Sequence, residues 1–250
     1  HAWEGTHILG IKSPSSPRAI LGKAIHAGTA AFDLGRISGH EISAADACDV
    51  VAETIRDPQE EVNWSSDDLD PNKATTTGVI LTAKYCAEIS PRYEFRAVEM
   101  ETKPLEIDCG GGVLISLTGM LDRSRLLVGA HGLGIADLKS GGHAVEKGRA
   151  KTKGHAAQVG TYEILYEHST GESITEPAEI IGLKTTGKPE VAVSEIAGAR
   201  RLMVGDGDSP GLIQYAAEMF RSGLFPPNPS SMLCSEKYCA RWHACKFKDQ

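Results

Sequence analysis

The sequence predicts an α/β domain in which a helical N-terminal portion precedes a core of strands and helices. Three observations predict it. Apolar residues recur at helical spacing to about residue 90, short glycine-bounded apolar runs begin near residue 93, and later segments alternate helix-like and strand-like patterning. A chain of 250 residues can bury the core of one such unit. We expect one domain spanning 1–250: a helical portion over about 17–90, an α/β core over about 93–224 and a cysteine-bearing tail over 225–250.

Ser16 followed by Pro17 is a helix start, an oxygen cap before a proline at the first helical position. The helix is expected to run to about Leu34, with Ile25, Thr29 and Phe32 on its buried stripe and Gly22, His26 and Ala30 on an adjoining face. Residues 42–56 read as a second helix, Gln59 to Asn72 as a polar loop and 73–88 as a third helix. Phe95–Thr102, Val113–Leu121 and Gly134–Lys139 read as strands, Gly154–Glu167 as a helix, Glu179–Lys184 and Glu190–Ser194 as a strand pair around a Thr-Gly-Lys-Pro turn, and 210–223 as a last helix. Phe225-Pro-Pro-Asn-Pro ends regular structure.

Composition excludes some classes. Apolar content of 41% and charged content of 24% are those of a globular protein, and no run of about 18 apolar residues suggests a membrane span. No secretory pattern opens the chain, so a cytoplasmic location is expected. The formal charge of -7 argues against a uniformly basic nucleic-acid binder, but a local basic stripe suffices for phosphate contact. Lys147, Arg149, Lys151 and Lys153 form one candidate DNA-binding stripe; Lys237, Arg241, Lys246 and Lys248 form another. Either reads equally as a solvated loop.

The chemistry is concentrated in Gly134-Ile-Ala-Asp-Leu-Lys-Ser. On a strand Asp137 and Lys139 share a face, roughly 6–7 Å apart, while Ala136 and Leu138 point into a core. Burying an acid and an amine on an apolar strand is costly. Asp122, in Gly119-Met-Leu-Asp-Arg, is expected to end the preceding strand. If the strands are neighbours, Asp122 and Asp137 converge, and paired carboxylate oxygens suit magnesium or manganese, which polarise phosphoryl oxygens and acidify bound water. Lys139 could position that water or offset phosphate charge. A structural ion pair is the alternative for Asp137 and Lys139. Gln158 and Tyr162 share a helix face at four-residue spacing, and a neutral His26 could complete a metal shell.

The ordered set Leu21-Gly22…His26, Gly119-x-Leu121-Asp122-Arg123, Asp137-Leu138-Lys139-Ser140 and Gln158-x-x-x-Tyr162 resembles the PD-(D/E)xK nuclease superfamily, specifically its RecB-like exonuclease branch, over roughly residues 17–245. The resemblance implies a central mixed sheet flanked by helices, a restriction-endonuclease-like core. It implies His26, Asp122 and Asp137 as metal ligands assisted by the Leu138 carbonyl, Lys139 as the catalytic lysine, and Gln158 and Tyr162 as supports of the site and the DNA. Glu99 or Glu101 is a further polar contributor, with no basis for choosing between them.

Three of the six cysteines, Cys234, Cys239 and Cys245, fall in the tail. Several RecB-like nucleases carry three such cysteines and one near the N-terminus around an iron–sulfur cluster, so the resemblance implies a cluster staple. No cysteine precedes His26, and the first residue is His1 rather than Met. A preceding segment, or Cys48, Cys86 or Cys109, could supply the fourth ligand; His243 could instead complete a Cys3His zinc site, or the thiols could be free. Gly182-Leu-Lys-Thr-Thr-Gly-Lys188 mimics a phosphate-binding loop, but Pro189 stands where a hydroxyl is needed, and ATP binding is rejected. The leading expectation is a magnesium- or manganese-dependent DNA exonuclease acting on duplex ends or single strands in recombination or repair, possessing a recombination partner protein. The rivals are a structure-specific endonuclease using the same residues and a non-catalytic nucleic-acid-binding module with a metal-stapled tail.

Overall fold

The computed structural model describes residues 8–10, 14–40, 42–231, 233–236, 238–239 and 241–248. Lys237 of the second basic stripe lies outside them.

Three helices come first: α1 (Pro17–Ser38), α2 (Ala44–Arg56) and α3 (Pro71–Lys84). Each start is written in its cap. Ser16 accepts from the Ala19 amide ahead of Pro17, Ser43 and Asp46 form a reciprocal capping box, and Asp70 accepts from the Lys73 amide ahead of Pro71. Helix α1 runs a turn beyond the expected Leu34 and stops at Gly39, whose φ of 72° is the left-handed conformation that ends helices. Helix α3 continues into a π-turn, Tyr85–Ile89, and a 3-10 turn, Ser90–Arg92. Close packing needs small residues: a Cβ on Gly28 would lie 2.6 Å from the Ala47 carbonyl oxygen of α2.

The strands are β1 (Tyr93–Glu101), β2 (Leu105–Asp108), β3 (Leu114–Leu117), β4 (Met120–Leu127) and β5 (Leu133–Gly141), then β6 (Val145–Glu146) and β7 (Arg149–Ala150). Helix α4 (Ala156–Thr170) leads to β8 (Ala178–Lys184) and β9 (Glu190–Ile196); a short α5 (Ala199–Val204), a two-residue ribbon and α6 (Leu212–Ser222) follow. The central sheet has the order β1-β4-β5-β8-β9 and is mixed: β5 and β8 are parallel, the other neighbours antiparallel. The parallel pair is joined through α4, the crossover that parallel strands require.

Two apolar layers sandwich this sheet. Ala136, Leu138, Ile181 and Leu183 pack on α1–α3, whereas Ile135 and Ile180 pack with Val159 and Tyr166 of α4. The architecture is therefore the expected central mixed sheet flanked by helices, with a helical N-terminal portion.

Three expectations change. The single strand expected over Val113–Leu121 is two: β3 pairs with β2 in a separate ribbon, and β4 begins at Met120. Asp122 consequently stands near the start of its strand, not the end. The β6–β7 hairpin and α5 were not anticipated, being too short to show periodicity. The strand pair expected around Thr-Gly-Lys-Pro is present: Gly182 lies within β8 and Lys184 pairs with Glu190 across the turn. Among the described residues no helix is long and apolar enough to cross a membrane.

Candidate active site

β4 and β5 pair from Leu126↔Leu133 to Arg123↔Ala136. Beyond that point the Leu138 amide donates not to a backbone carbonyl but to Asp122 Oδ2, at 2.7 Å. The carboxylate thus takes over one rung of the ladder and is oriented by it. Period two on β5 puts Asp137 and Lys139 on the Ile135 side of the sheet, toward α4.

His26 comes from α1 and Glu99 from β1. His26 Nδ1 is 3.8 Å from Asp122 Oδ2 and 4.0 Å from Glu99 Oε1, and one donor atom from each of the three residues lies within 4.8 Å of the other two. Glu99 occupies the position opposite Asp122, between the pairs Val98↔Arg123 and Met100↔Leu121, and its φ is 45°. Left-handed backbone is unfavourable for a residue with a Cβ and is tolerated where surrounding structure enforces it. Glu99, not Glu101, therefore joins the site, and Glu101 remains exposed.

Asp137 is completely buried and its Oδ2 lies 2.5 Å from Lys139 Nζ. Apart from that contact neither Asp137 oxygen has a hydrogen-bond partner within the protein. Burial, and then the charge of Asp122, push its carboxyl up to about 6 against the opposing pull of Lys139, with Glu99 adding a smaller upward push. Burial and Asp122 likewise raise Glu99, opposed by Arg123 and His26. Carboxylates that repel one another beside an imidazole are a donor set for a hard divalent cation, and the partnerless Oδ1 of Asp137 is an atom such an ion would satisfy. The residues fit the metal.

Helix α4 closes the site. Gln158 Nε2 donates to Tyr162 OH at 2.9 Å. Tyr162 is half-buried; burial raises its phenol, as do Asp122, Asp137 and Glu99, while Gln158 opposes. A Cβ on Gly119 would lie 3.1–3.2 Å from Leu165 and Tyr162, so the glycine that opens β4 lets α4 approach. A groove of about 620 Å³ runs from Arg18 and Gly22 along α1 to His26, Glu99 and Ser140. A Cβ on Gly22 would meet Ser140 Oγ at 2.9 Å, so α1 and the end of β5 approach closely there.

Candidates outside the centre fare unevenly. Lys147, Arg149, Lys151 and Lys153 are exposed on and after the β6–β7 hairpin. The last three tail thiols, Cys234, Cys239 and Cys245, line one cavity of about 480 Å³. Cys48, Cys86 and Cys109 do not line it; Cys48 donates to the Val79 carbonyl, Cys86 is buried in the helical layer and Cys109 is buried at the start of the β2–β3 turn. These described residues meet three of the four thiolates that an iron–sulfur cluster usually takes.

Sequence reasoning missed Asp33 and the role of Arg123. Their ion pair is fully buried, with Arg123 Nε 2.7 Å from Asp33 Oδ2. One signal was available: Asp33 stands four residues after Thr29, on the same buried row of α1.

A mixed five-stranded sheet that carries Asp122 and an Asp137-x-Lys139 pair between two helical layers is the core of a nuclease fold. The profile of the PD-(D/E)XK nuclease superfamily matches residues 2–246, and the chain belongs to that superfamily of nucleases. No curated protein sequence matches it. Among solved structures, a protein of Eubacterium rectale described as a "Putative exonuclease" is similar, with a TM-score of 0.52 at 11% identity, covering 93% of this chain and 77% of that one. At that identity the likeness is one of fold.

Proposed function

We propose that this chain is a magnesium- or manganese-dependent deoxyribonuclease that hydrolyses phosphodiester bonds exonucleolytically, in recombination or repair of cytoplasmic DNA. The observation that carries the reading is the meeting of His26, Glu99 and Asp122 donors within 4.8 Å beside the buried carboxylate of Asp137, which pairs with Lys139 through Oδ2 and has no partner at Oδ1. In the proposal His26, Asp122 and Asp137 hold the cation, with Glu99 added and the Leu138 carbonyl assisting. A divalent ion there supplies Lewis acidity at a phosphoryl oxygen and lowers the pKa of water.

Lys139 provides fixed positive charge next to Asp137, suited to hold the attacking water and to offset charge on the pentacovalent phosphate. Asp122, locked by the Leu138 amide, needs no reorganisation to present its free oxygen. Gln158 and Tyr162 orient the strand and screen that side of the centre. The exposed Lys147, Arg149, Lys151 and Lys153 extend the DNA path through phosphate contacts. The three tail thiols act as a staple that holds an iron–sulfur cluster with a fourth ligand from outside their cavity; a brown, anaerobically purified sample absorbing near ~400 nm supports that part and a colourless one removes it. A recombination protein that loads the nuclease onto ends completes the reading.

The test is degradation of linear and closed circular duplex DNA with magnesium. The exonuclease reading expects linear DNA to shorten and closed circles to persist; cleavage of closed circles favours the endonuclease. Activity that survives both Asp137→Ala and Lys139→Ala removes the assignment of the site.

A further inference from the structure

Around Arg123 of β4, next to the proposed metal ligands, lies a buried polar network that no step of the hydrolysis uses. Its centre is Arg123, whose side chain is wholly enclosed. Nε donates to Asp33 Oδ2 at 2.7 Å, Nη2 to Thr29 Oγ1 at 3.3 Å, and Nη1 donates both to the Asp122 carbonyl at 2.8 Å and to Glu99 Oε1 at 3.2 Å. Asp33 is saturated in turn: Tyr85 OH donates to Oδ2 and Ser90 Oγ to Oδ1, each at 2.6 Å. Arg36 donates to the Ser90 carbonyl and hydroxyl at 2.6 Å. One planar guanidinium thereby ties α1, the turn after α3, β1 and β4 together.

Two of its contacts reach the metal cluster from behind. Glu99 sits in left-handed backbone, a conformation its surroundings must enforce, and Arg123 holds its carboxylate at 3.2 Å. The Asp122 carbonyl fixes the backbone from which that residue's carboxylate projects. The same helix that supplies Asp33 and Thr29 supplies His26, so the pair also sets the distance from α1 to the two carboxylates.

We propose that the Asp33–Arg123 pair is a positioning element that presets the separation of His26, Glu99 and Asp122 and so determines how tightly a divalent cation binds. The inference rests on the metal-site reading above. Partners that orient ligands from behind change metal affinity about 10- to 100-fold when removed. Lysine keeps the charge of arginine but not its planar fork, so it cannot serve Asp33, Glu99 and the Asp122 carbonyl at once.

The experiment is isothermal titration of the full chain with Mn²⁺, alongside nuclease rates as a function of Mn²⁺ concentration and thermal melting. Arg123→Lys is expected to melt cooperatively, to bind Mn²⁺ about tenfold or more weakly, and to recover most of its kcat at saturating Mn²⁺. A residue that only supported the fold would lower Tm without moving the metal requirement. A folded Arg123→Lys with wild-type Mn²⁺ affinity overturns the proposal. Should that variant fail to fold, Tyr85→Phe carries the test. It removes one hydroxyl from Asp33 and is expected to weaken Mn²⁺ binding about threefold or more; unchanged affinity again overturns the proposal. The two readings fail differently: a wild-type chain that binds no Mn²⁺, or an Asp122→Ala variant that binds as tightly as wild type, removes the metal-site reading and the positioning element with it.

Discussion

Lys139 and Asp137 divide their work according to burial. The lysine is partly exposed, at 25%, whereas the aspartate has no exposure. Removing the ammonium takes away charge that stabilises the transition state rather than a metal ligand. Lys139→Met should therefore lower kcat by about 10²- to 10³-fold while Mn²⁺ affinity, read by titration, changes little. Asp137 should register in stability. Burial raises its folded carboxyl to about 6, above the value of an unfolded aspartate, so the folded state binds the proton more tightly. Without metal, this residue's contribution to stability is fully present below about pH 4 and is lost as pH rises to about 6, a change of at most ~3 kcal/mol. Urea denaturation in chelator across that interval should show the slope, and Asp137→Asn should flatten it. Excess magnesium should restore stability at pH 7, because the cation then replaces the proton.

At the scale of elements, the placement of α1 against α2 and the sheet decides whether His26 reaches Asp122. Gly28 is the contact that permits it, facing the Ala47 carbonyl and Val51 at 2.6 Å. Backbone cannot yield as a flexible side chain can. Gly28→Ala should destabilise the protein by about 1–3 kcal/mol in urea and, by levering α1 outward, weaken Mn²⁺ binding as well. An unchanged Mn²⁺ affinity would show that α1 absorbs the clash without moving His26. The local signals for these elements were legible: Ser16-Pro17 and Asp70-Pro71 mark starts that the caps realise. The two-residue strands β6 and β7 were not, because elements that short owe their pairing to tertiary contact rather than to any periodic pattern.

For the molecule as a whole, a cation that binds only the folded state should stabilise it. At metal concentrations 100-fold above Kd the gain is about 2.7 kcal/mol. In a domain of this length that corresponds to roughly 5–10 °C in Tm, measurable by differential scanning calorimetry with Mn²⁺ against chelator. An Asp122→Ala variant should lose this increment. If Mn²⁺ raised Tm equally in both, the ion would be acting elsewhere. The separation of the two apolar layers by the sheet explains why the centre sits where it does. His26 from α1 and Glu99 from β1 meet Asp122 of β4 where the β4–β5 ladder stops at Arg123↔Ala136.

By itself the sequence determined the α/β class and the caps of the first helices, and it singled out the residues proposed for the centre: His26, Asp122, Asp137, Lys139, Gln158 and Tyr162. Local spacing suffices for that, since a two-residue pleat and a four-residue helical turn already align Asp137 with Lys139 and Gln158 with Tyr162. Tertiary structure decided the rest. Period two treats Glu99 and Glu101 as equivalent, and it took a left-handed residue in β1, held from behind by Arg123, to bring Glu99 alone beside His26 and Asp122. Asp33 reads as one more helical acid until residues 90 positions apart are folded into contact. Such partners are invisible to local pattern because the energy that selects them, the cost of burying an unpaired charge, exists only once the chain has enclosed them.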